Sequence, residues 1–217
     1  SKEANYRDLE KISLLFLWVL GVTSSMLLCL YQPFIHVWMG KENMLAIELV
    51  FCFVVYYYSM GANKLINMFK DAAGIWKIDR WRPLTAAFVN LSLNLITVRW
   101  LGMYGVLLSS IVSIVLIQIP WLFHNLFREV FPRESMWKYI RLFCGLTIFA
   151  LVSCVASWFA CGLFELNVWA SLFVNAAVSF VIPNLCFLAL YGRNPVFRDS
   201  LLQLKGMFLS RGGSKRD

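Results

Sequence analysis

Positive charge is concentrated in the stretch GIWKIDRWRP, residues 74–83, of a chain that is otherwise strongly apolar. Lys77, Arg80 and Arg82 are residue types that bind phosphate, because ammonium and guanidinium groups make charge-assisted hydrogen bonds to phosphate oxygens. The same residue types also set topology beside a membrane, where they face anionic lipid headgroups. The stretch itself leaves both interpretations open.

Amide and hydroxyl side chains repeat at helical spacing in the apolar segments that follow. Asn90 and Asn94 share one helical face with Thr97, and Gln118 lies further along the chain. Such a stripe has two interpretations: packing between helices through small residues and hydrogen bonds, or a polar wall lining a cavity for a hydrophilic substrate. Similar stripes comprise Ser109 and Ser113, and Ser171, Asn175, Ser179 and Pro183.

Glu48 is the one acidic residue placed inside an apolar segment, MLAIELVFCF. It lies about one turn from the end of that segment. A carboxylate there either stays hydrated at the membrane surface or serves as a proton or cation coupling site. Both interpretations remain open.

Residues of hydrolytic or metal chemistry do not form a recognisable pattern in this sequence. The six cysteines lie in or at the ends of apolar runs, without a CxxC pair, and are predicted to be buried thiols. His36 and His124 stand in different connections, so neither a catalytic pair nor a metal set is expected. We expect no enzymatic activity, no cofactor and no metal.

The composition of the chain indicates the kind of structural element that carries these polar residues. The 217 residues are 60% hydrophobic and only 15% charged, against about 25% charged in a soluble domain. Six apolar runs reach the length of about 20 residues that a membrane-spanning helix needs, and they lack the alternation of a barrel strand. The sequence predicts an all-α, polytopic membrane protein with spans at 12–31, 44–62, 83–101, 105–123, 142–161 and 168–191.

The basic residues predict the orientation of these spans. Eighteen of the 20 Lys and Arg residues fall in the two terminal segments and the connections 63–82 and 124–141. The opposite side holds only Lys41 and Arg99. The positive-inside rule therefore places both ends of the chain in the cytoplasm. The same bias explains the net charge of +8, so no nucleic-acid partner is expected.

The order of segments resembles a known family. Four features support the resemblance. The first span ends in QPFIHVWMGKE, and the Ala73–Gly74 step precedes a short basic turn. The NLSLNL helix follows, and a turn with Gly102 and Gly105 precedes a Ser-rich helix. Over nearly all 217 residues this resembles the C-terminal half of a polysaccharide flippase, from the superfamily of multidrug, oligosaccharidyl-lipid and polysaccharide exporters.

The resemblance implies a two-lobed transporter of the bacterial cytoplasmic membrane whose N-terminal lobe lies outside this sequence. Residues 1–123 would be the four-helix part of the C-terminal lobe, 124–191 two additional spans with a groove for a lipid tail, and 192–217 a cytoplasmic tail. Its substrate would be an undecaprenyl-diphosphate-linked oligosaccharide, moved by alternating access, and a polymerase or glycosyltransferases would be possible partners. Candidate substrate-binding residues are Lys77, Arg80, Arg82, Asn90, Asn94 and Gln118, with Glu48 for ion coupling.

Two alternatives remain open. A drug or cation antiporter of the same superfamily would share the fold but carry a substrate without a polyprenyl tail. A non-transporting membrane scaffold for glycan assembly would use every polar stripe for packing. The tail is expected to begin as an amphipathic interfacial stretch, with Leu201, Leu202, Leu204 and Phe208 against lipid.

Overall fold

The computed structural model describes residues 2–163, 167–199 and 202, and in this part of the chain it contains helices and no strands. Apart from Leu202, the predicted amphipathic tail residues lie outside the described residues. The α-helices are α1 (Lys2–Met39), α2 (Ile47–Ala73), α3 (Trp76–Asp79), α4 (Trp81–Leu101), α5 (Met103–Ser113), α6 (Ile119–Glu129), α7 (Met136–Gly162) and α8 (Val168–Tyr191). Short 3-10 turns cover Lys41–Asn43 and Arg133–Ser135, and a π-helical turn, Ile114–Gln118, joins α5 to α6.

Six helical segments of this part of the chain are long and apolar enough to cross a membrane, as predicted. Most are longer than the predicted spans. The prediction limited the spans to apolar runs of about 20 residues, whereas most of the helices continue past the apolar run. α2 ends where Gly74 adopts φ +67°, and α4 ends where Gly102 adopts φ +54°, conformations that glycine reaches without a Cβ penalty. Much of the predicted 63–82 connection is therefore helix.

α1 lies at the centre of the bundle, packed against α2, α7 and α8. α2 in turn packs against α5 and α6 on its other side. The shared core is built of aliphatic and aromatic side chains; Leu14, Leu65, Leu122, Tyr139 and Leu146 are all at least 99% buried. This core holds the two ends of the chain, α1 and α7–α8, together as one body.

α4 lies at the edge of the bundle, packed mainly on α5. Its outward face is apolar, with Phe88, Leu91, Leu95 and Trp100 all more than half exposed. In a membrane, lipid or another transmembrane helix covers such a face. α4 therefore keeps its position largely through the contacts of one side.

Candidate functional site

A buried group of charges lies where the chain passes from α2 to α4. Arg82 is 5% exposed, and its Nε donates to Oδ1 and Oδ2 of Asp79 at 2.8 and 2.9 Å, while Nη2 donates to Oδ2 at 2.7 Å. Lys70 Nζ lies 3.7 Å from the same Oδ2. Two cations thus converge on one carboxylate that is itself 3% exposed.

Four amide side chains surround these charges. Arg82 also donates from Nη2 to Asn67 Oδ1 at 2.8 Å and from Nη1 to Gln118 Oε1 at 3.4 Å. Asn63 Nδ2 reaches the same Gln118 oxygen at 3.0 Å, and Asn67 Nδ2 donates to Asn63 Oδ1 at 3.2 Å. From α6, Asn125 Nδ2 donates to Asp79 Oδ1 at 3.2 Å. We refer to Asn63, Asn67, Lys70, Asp79, Arg82, Gln118 and Asn125 as the Arg82 cluster.

Helical periodicity positions the members on α2. Asn63, Asn67 and Lys70 follow at i, i+4 and i+7, so they share one face of the helix. Gly74 then turns the chain, and α3 returns Asp79 to that face. Arg82 follows three residues later, the spacing at which side chains on a helix meet.

The π-helical turn positions the remaining members. At Ile114–Gln118 one extra residue enters the turn, and the N–H of Ile119 bonds to the carbonyl of Ile114. Pro120 follows, and it has no N–H to offer the helix. The inserted residue rotates α6 relative to α5, which puts Gln118 and Asn125 against the cluster. π-helical turns of this kind frequently occur at functional sites.

The electrostatics of the Arg82 cluster are nearly balanced. Lys70 also pairs with the half-exposed Asp71 at 2.8 Å, and its ammonium lies 4.1 Å from the centre of the Trp76 ring. Buried charges are tolerated when they are paired and hydrogen-bonded, whereas removing one partner of a buried pair costs about 3–5 kcal/mol. The cluster is therefore sensitive to any change in its charge.

The three basic candidates of the 74–83 stretch occupy different environments. Lys77 and Arg80 are exposed, and the guanidinium of Arg80 lies 5.4 Å from the centre of the Trp81 ring. Arg82, predicted either to face lipid headgroups or to bind a substrate phosphate, is buried inside the cluster. Sequence reasoning missed Asp79, although its i, i+3 spacing from Arg82 is a signal that could have indicated the pair.

Asn90 and Asn94 lie at the contact between α4 and α5, away from the Arg82 cluster. Asn94 donates to Asn90 Oδ1 at 2.9 Å, Ser109 donates to Asn94, and Asn90 donates to Ser110 at 3.5 Å. This is the packing interpretation of the stripe. Of the three candidate amide residues, Asn90 and Asn94 therefore join α4 to α5, while Gln118 belongs to the Arg82 cluster.

The other predicted polar positions are separate from the Arg82 cluster. Glu48 is exposed in the first turn of α2, roughly 33 Å along the helix from Lys70 at 1.5 Å per residue. On α8, Asn175 donates to the carbonyl of Cys29 at 3.3 Å, and Ser179 is fully buried. The α8 stripe is thus a packing face.

The cysteine prediction is only partly correct. Cys29, Cys154 and Cys161 are buried, but Cys144 and Cys186 point outward from their helices. The prediction failed for these two because an apolar span has an outer face as well as an inner one. His36 and His124 lie within α1 and α6 rather than in connections. Among the described residues no group of His, Cys, Asp or Glu is arranged to hold a metal.

An apolar groove of about 610 Å³ lies between α2, α6 and α7, and its lining residues Ala62 and Ile119 are sequence neighbours of Asn63 and Gln118 of the Arg82 cluster. Ser59 and Ala62 of α2 line it, and Asn63 of the cluster is the next residue. Across the groove stand Ile119 and Phe123. We call this the α2–α6–α7 groove. Its walls are mainly apolar, and the buried Arg82 cluster begins one residue away from them along the chain.

Comparison of the chain with protein-family models, with curated proteins and with solved structures gives no match. Its function must therefore be argued from the Arg82 cluster, the groove and the membrane-spanning architecture.

Proposed function

We propose that this chain is part of a transporter that moves lipid-linked oligosaccharides, carried on undecaprenyl diphosphate, across the bacterial cytoplasmic membrane by alternating access. The observation that carries the proposal is the adjacency of the α2–α6–α7 groove and the Arg82 cluster. An apolar groove beside clustered cations suits an amphiphile that has a long hydrocarbon tail and an anionic headgroup.

The tail and the headgroup of such a substrate need different surroundings. A polyprenyl tail is compatible with the bilayer and with the apolar groove walls formed by Ile119 and Phe123. A sugar diphosphate cannot cross the hydrocarbon core unaided, because the free energy needed to remove its charges from water is too large unless cations of a protein compensate them. Lys77 and Arg80, exposed on the connection between α2 and α4, would meet the headgroup first at the cytoplasmic surface.

Alternating access requires a second lobe, and α4 offers the surface for one. Its apolar outward face has few neighbours among the described residues. Under this proposal the face is covered by the N-terminal lobe of the transporter. The hydrogen-bonded pair of α4 and α5 would then move as one unit against that lobe.

Complementation tests the proposed function. The complete gene that encodes this chain is expressed in a bacterium that lacks its own O-antigen or capsule flippase, and surface polysaccharide is measured. We expect restored surface polysaccharide with the wild type, and a loss of at least about tenfold with Arg82→Gln, since that change breaks a buried ion pair and leaves Asp79 with only the more distant Lys70 as a cation. Thr85→Ala, a change on the partly exposed side of α4, is the control and should complement normally.

Insertion and abundance are checked by immunoblotting of membranes for each variant. If abundant, inserted wild-type protein fails to complement strains that make several different oligosaccharides, the proposal is wrong.

A non-transporting scaffold is the second candidate, because the polar stripes of α4, α5 and α8 lie in packing contacts. A scaffold would show no translocation of a fluorescent lipid-linked oligosaccharide in reconstituted vesicles. The proposed transporter would show translocation that depends on Arg82.

A further inference from the structure

The Asp79 carboxylate is bound as a ligand would be. Donors from three different helices converge on its two oxygens: Arg82 of α4 at 2.7 to 2.9 Å, Asn125 of α6 at 3.2 Å, and Lys70 of α2 at 3.7 Å. A guanidinium fork, an ammonium and an amide form the set of donors that binds phosphate oxygens in proteins.

The anion and its donors are carried by very different elements. Lys70 and Asn125 belong to helices that pack into the bundle, and Arg82 belongs to the long edge helix α4, which packs on α5. Asp79 belongs to α3, a helix of four residues that follows the glycine turn at Gly74. The other three residues of α3 are exposed. Moving Asp79 would disturb far fewer packed side chains than moving any of its donors.

We propose that the Arg82 cluster is an anion site whose internal counter-ion is Asp79, and that the diphosphate of the lipid-linked substrate binds Lys70, Arg82 and Asn125 in its place. The identification of that diphosphate as a lipid headgroup rests on the proposed function. The anion site itself rests on the donor geometry alone.

Charge favours the exchange. Two cations face Asp79, although Lys70 also pairs with the half-exposed Asp71 at 2.8 Å. A diphosphate carries more negative charge than one carboxylate and has separate oxygens for the guanidinium and the ammonium, so it attracts both cations more strongly. The exchange also keeps the site paired throughout, which avoids the cost of leaving a buried cation without an anion. With Asp79 in place, the same cations are shielded from other anions of the cytoplasm. The cluster is thus closed to weak anionic ligands until a stronger one arrives.

The test measures diphosphate affinity after the internal anion is removed. The purified full chain is titrated calorimetrically with inorganic pyrophosphate, as wild type and as Asp79→Asn. We expect binding to the variant to be at least about tenfold tighter, equivalent to roughly 1.4 kcal/mol or more. Adding Arg82→Gln to Asp79→Asn should abolish the gain.

A matched control exists at a second buried carboxylate. Glu10 of α1 accepts a hydrogen bond from Tyr6 at 2.8 Å and pairs with Lys138 at 3.1 Å. Glu10→Gln changes the net charge of the protein by the same amount as Asp79→Asn. We expect it to leave pyrophosphate affinity unchanged. An equal gain in Glu10→Gln would overturn the proposal, because general electrostatics would then explain the effect.

A second measurement needs no substitution and applies even where Asp79→Asn does not fold. Hydrogen–deuterium exchange of residues 75–80 is followed in the wild type, with and without saturating geranylgeranyl diphosphate. Displacement of Asp79 predicts at least about twofold faster exchange in this segment. Unchanged or slower exchange with the ligand bound would overturn the proposal.

The two diphosphates also separate the sources of the ligand. Tighter binding of geranylgeranyl diphosphate than of inorganic pyrophosphate supports a lipid headgroup, whereas equal affinity overturns that part and leaves a site for soluble diphosphate. Failed complementation together with a gain in Asp79→Asn refutes the proposed function but supports the anion site. Successful complementation without that gain refutes the internal counter-ion alone.

Discussion

Gly105 is the residue on which the approach of α4 and α5 depends. A Cβ at this position would lie 2.7 Å from the backbone carbonyl carbon and oxygen of Thr97, closer than side chains pack. The Thr97 hydroxyl donates to the Gly105 carbonyl at 3.1 Å, which marks how near the two backbones are. Small residues allow helices in membranes to approach in this way, and the short distance strengthens the dispersion contacts between them.

We predict that Gly105→Ala separates α4 from α5. The added methyl meets backbone that cannot rotate away, and overpacking of this kind costs about 1–3 kcal/mol. The thermal midpoint of the purified protein should fall by roughly 2–12 °C. Gly162→Ala is the control, since nothing lies within 4 Å of a Cβ there, and it should leave the midpoint nearly unchanged. Equal midpoints for the two variants would contradict the close approach.

At the scale of the element, the π-helical turn Ile114–Gln118 determines which residues of α6 face α2. One residue more than an α-helix allows rotates everything beyond it by about 100°. Removing that residue should therefore move Gln118 and Asn125 away from Arg82 while leaving composition nearly the same.

We predict that deleting Leu116 disrupts the Arg82 cluster. Leu116 is 67% exposed, so its side chain contributes little to the core. The deletion should nevertheless lower the thermal midpoint by several degrees and reduce complementation. Leu116→Ala keeps the length of the turn and should behave like the wild type. If the deletion variant matches Leu116→Ala in both measurements, the turn does not position α6.

The sequence predicted the elements well because hydropathy is a local property. The span at 168–191 coincides with α8, and all six apolar runs are helical. The partners of Arg82 were not predictable in the same way. The turn at Gly74 lets Asn67 reach Arg82, and the π-helical turn brings Asn125 to Asp79. No pattern in the sequence singled out the π-helical turn. An arginine at the end of a span commonly either contacts lipid headgroups or pairs with a buried carboxylate. Which of the two occurs depends on tertiary packing, which the local sequence does not show.

At the scale of the whole molecule, the distribution of basic residues predicts which ends of the helices face the cytoplasm. With α1 and α2 crossing in opposite directions, the 3-10 turn Lys41–Asn43 and the α3 segment lie at opposite ends of the bundle. The positive-inside rule assigns the turn to the outside and α3 to the cytoplasm.

We predict that Lys41→Cys is labelled by a membrane-impermeant maleimide in intact cells, whereas Lys77→Cys is labelled only after the cells are opened. Both positions are exposed, so accessibility depends on the side of the membrane and not on packing. The wild type gives the background from its own cysteines, of which Cys29, Cys154 and Cys161 are buried. The reverse labelling pattern would show that the orientation is opposite to the predicted one.

The composition of the Arg82 cluster implies an order of events during synthesis. Asp79 and Arg82 leave the ribosome before Gln118 and Asn125, so Arg82 first meets the insertion machinery with part of its final environment still missing. Under the orientation predicted here, its positive charge would at that moment help to determine the direction in which the spans insert. Once α6 arrives, the same guanidinium becomes part of the closed protein interior. Arg82 would thus act first as a topology signal during insertion and afterwards as part of a buried, hydrogen-bonded cluster.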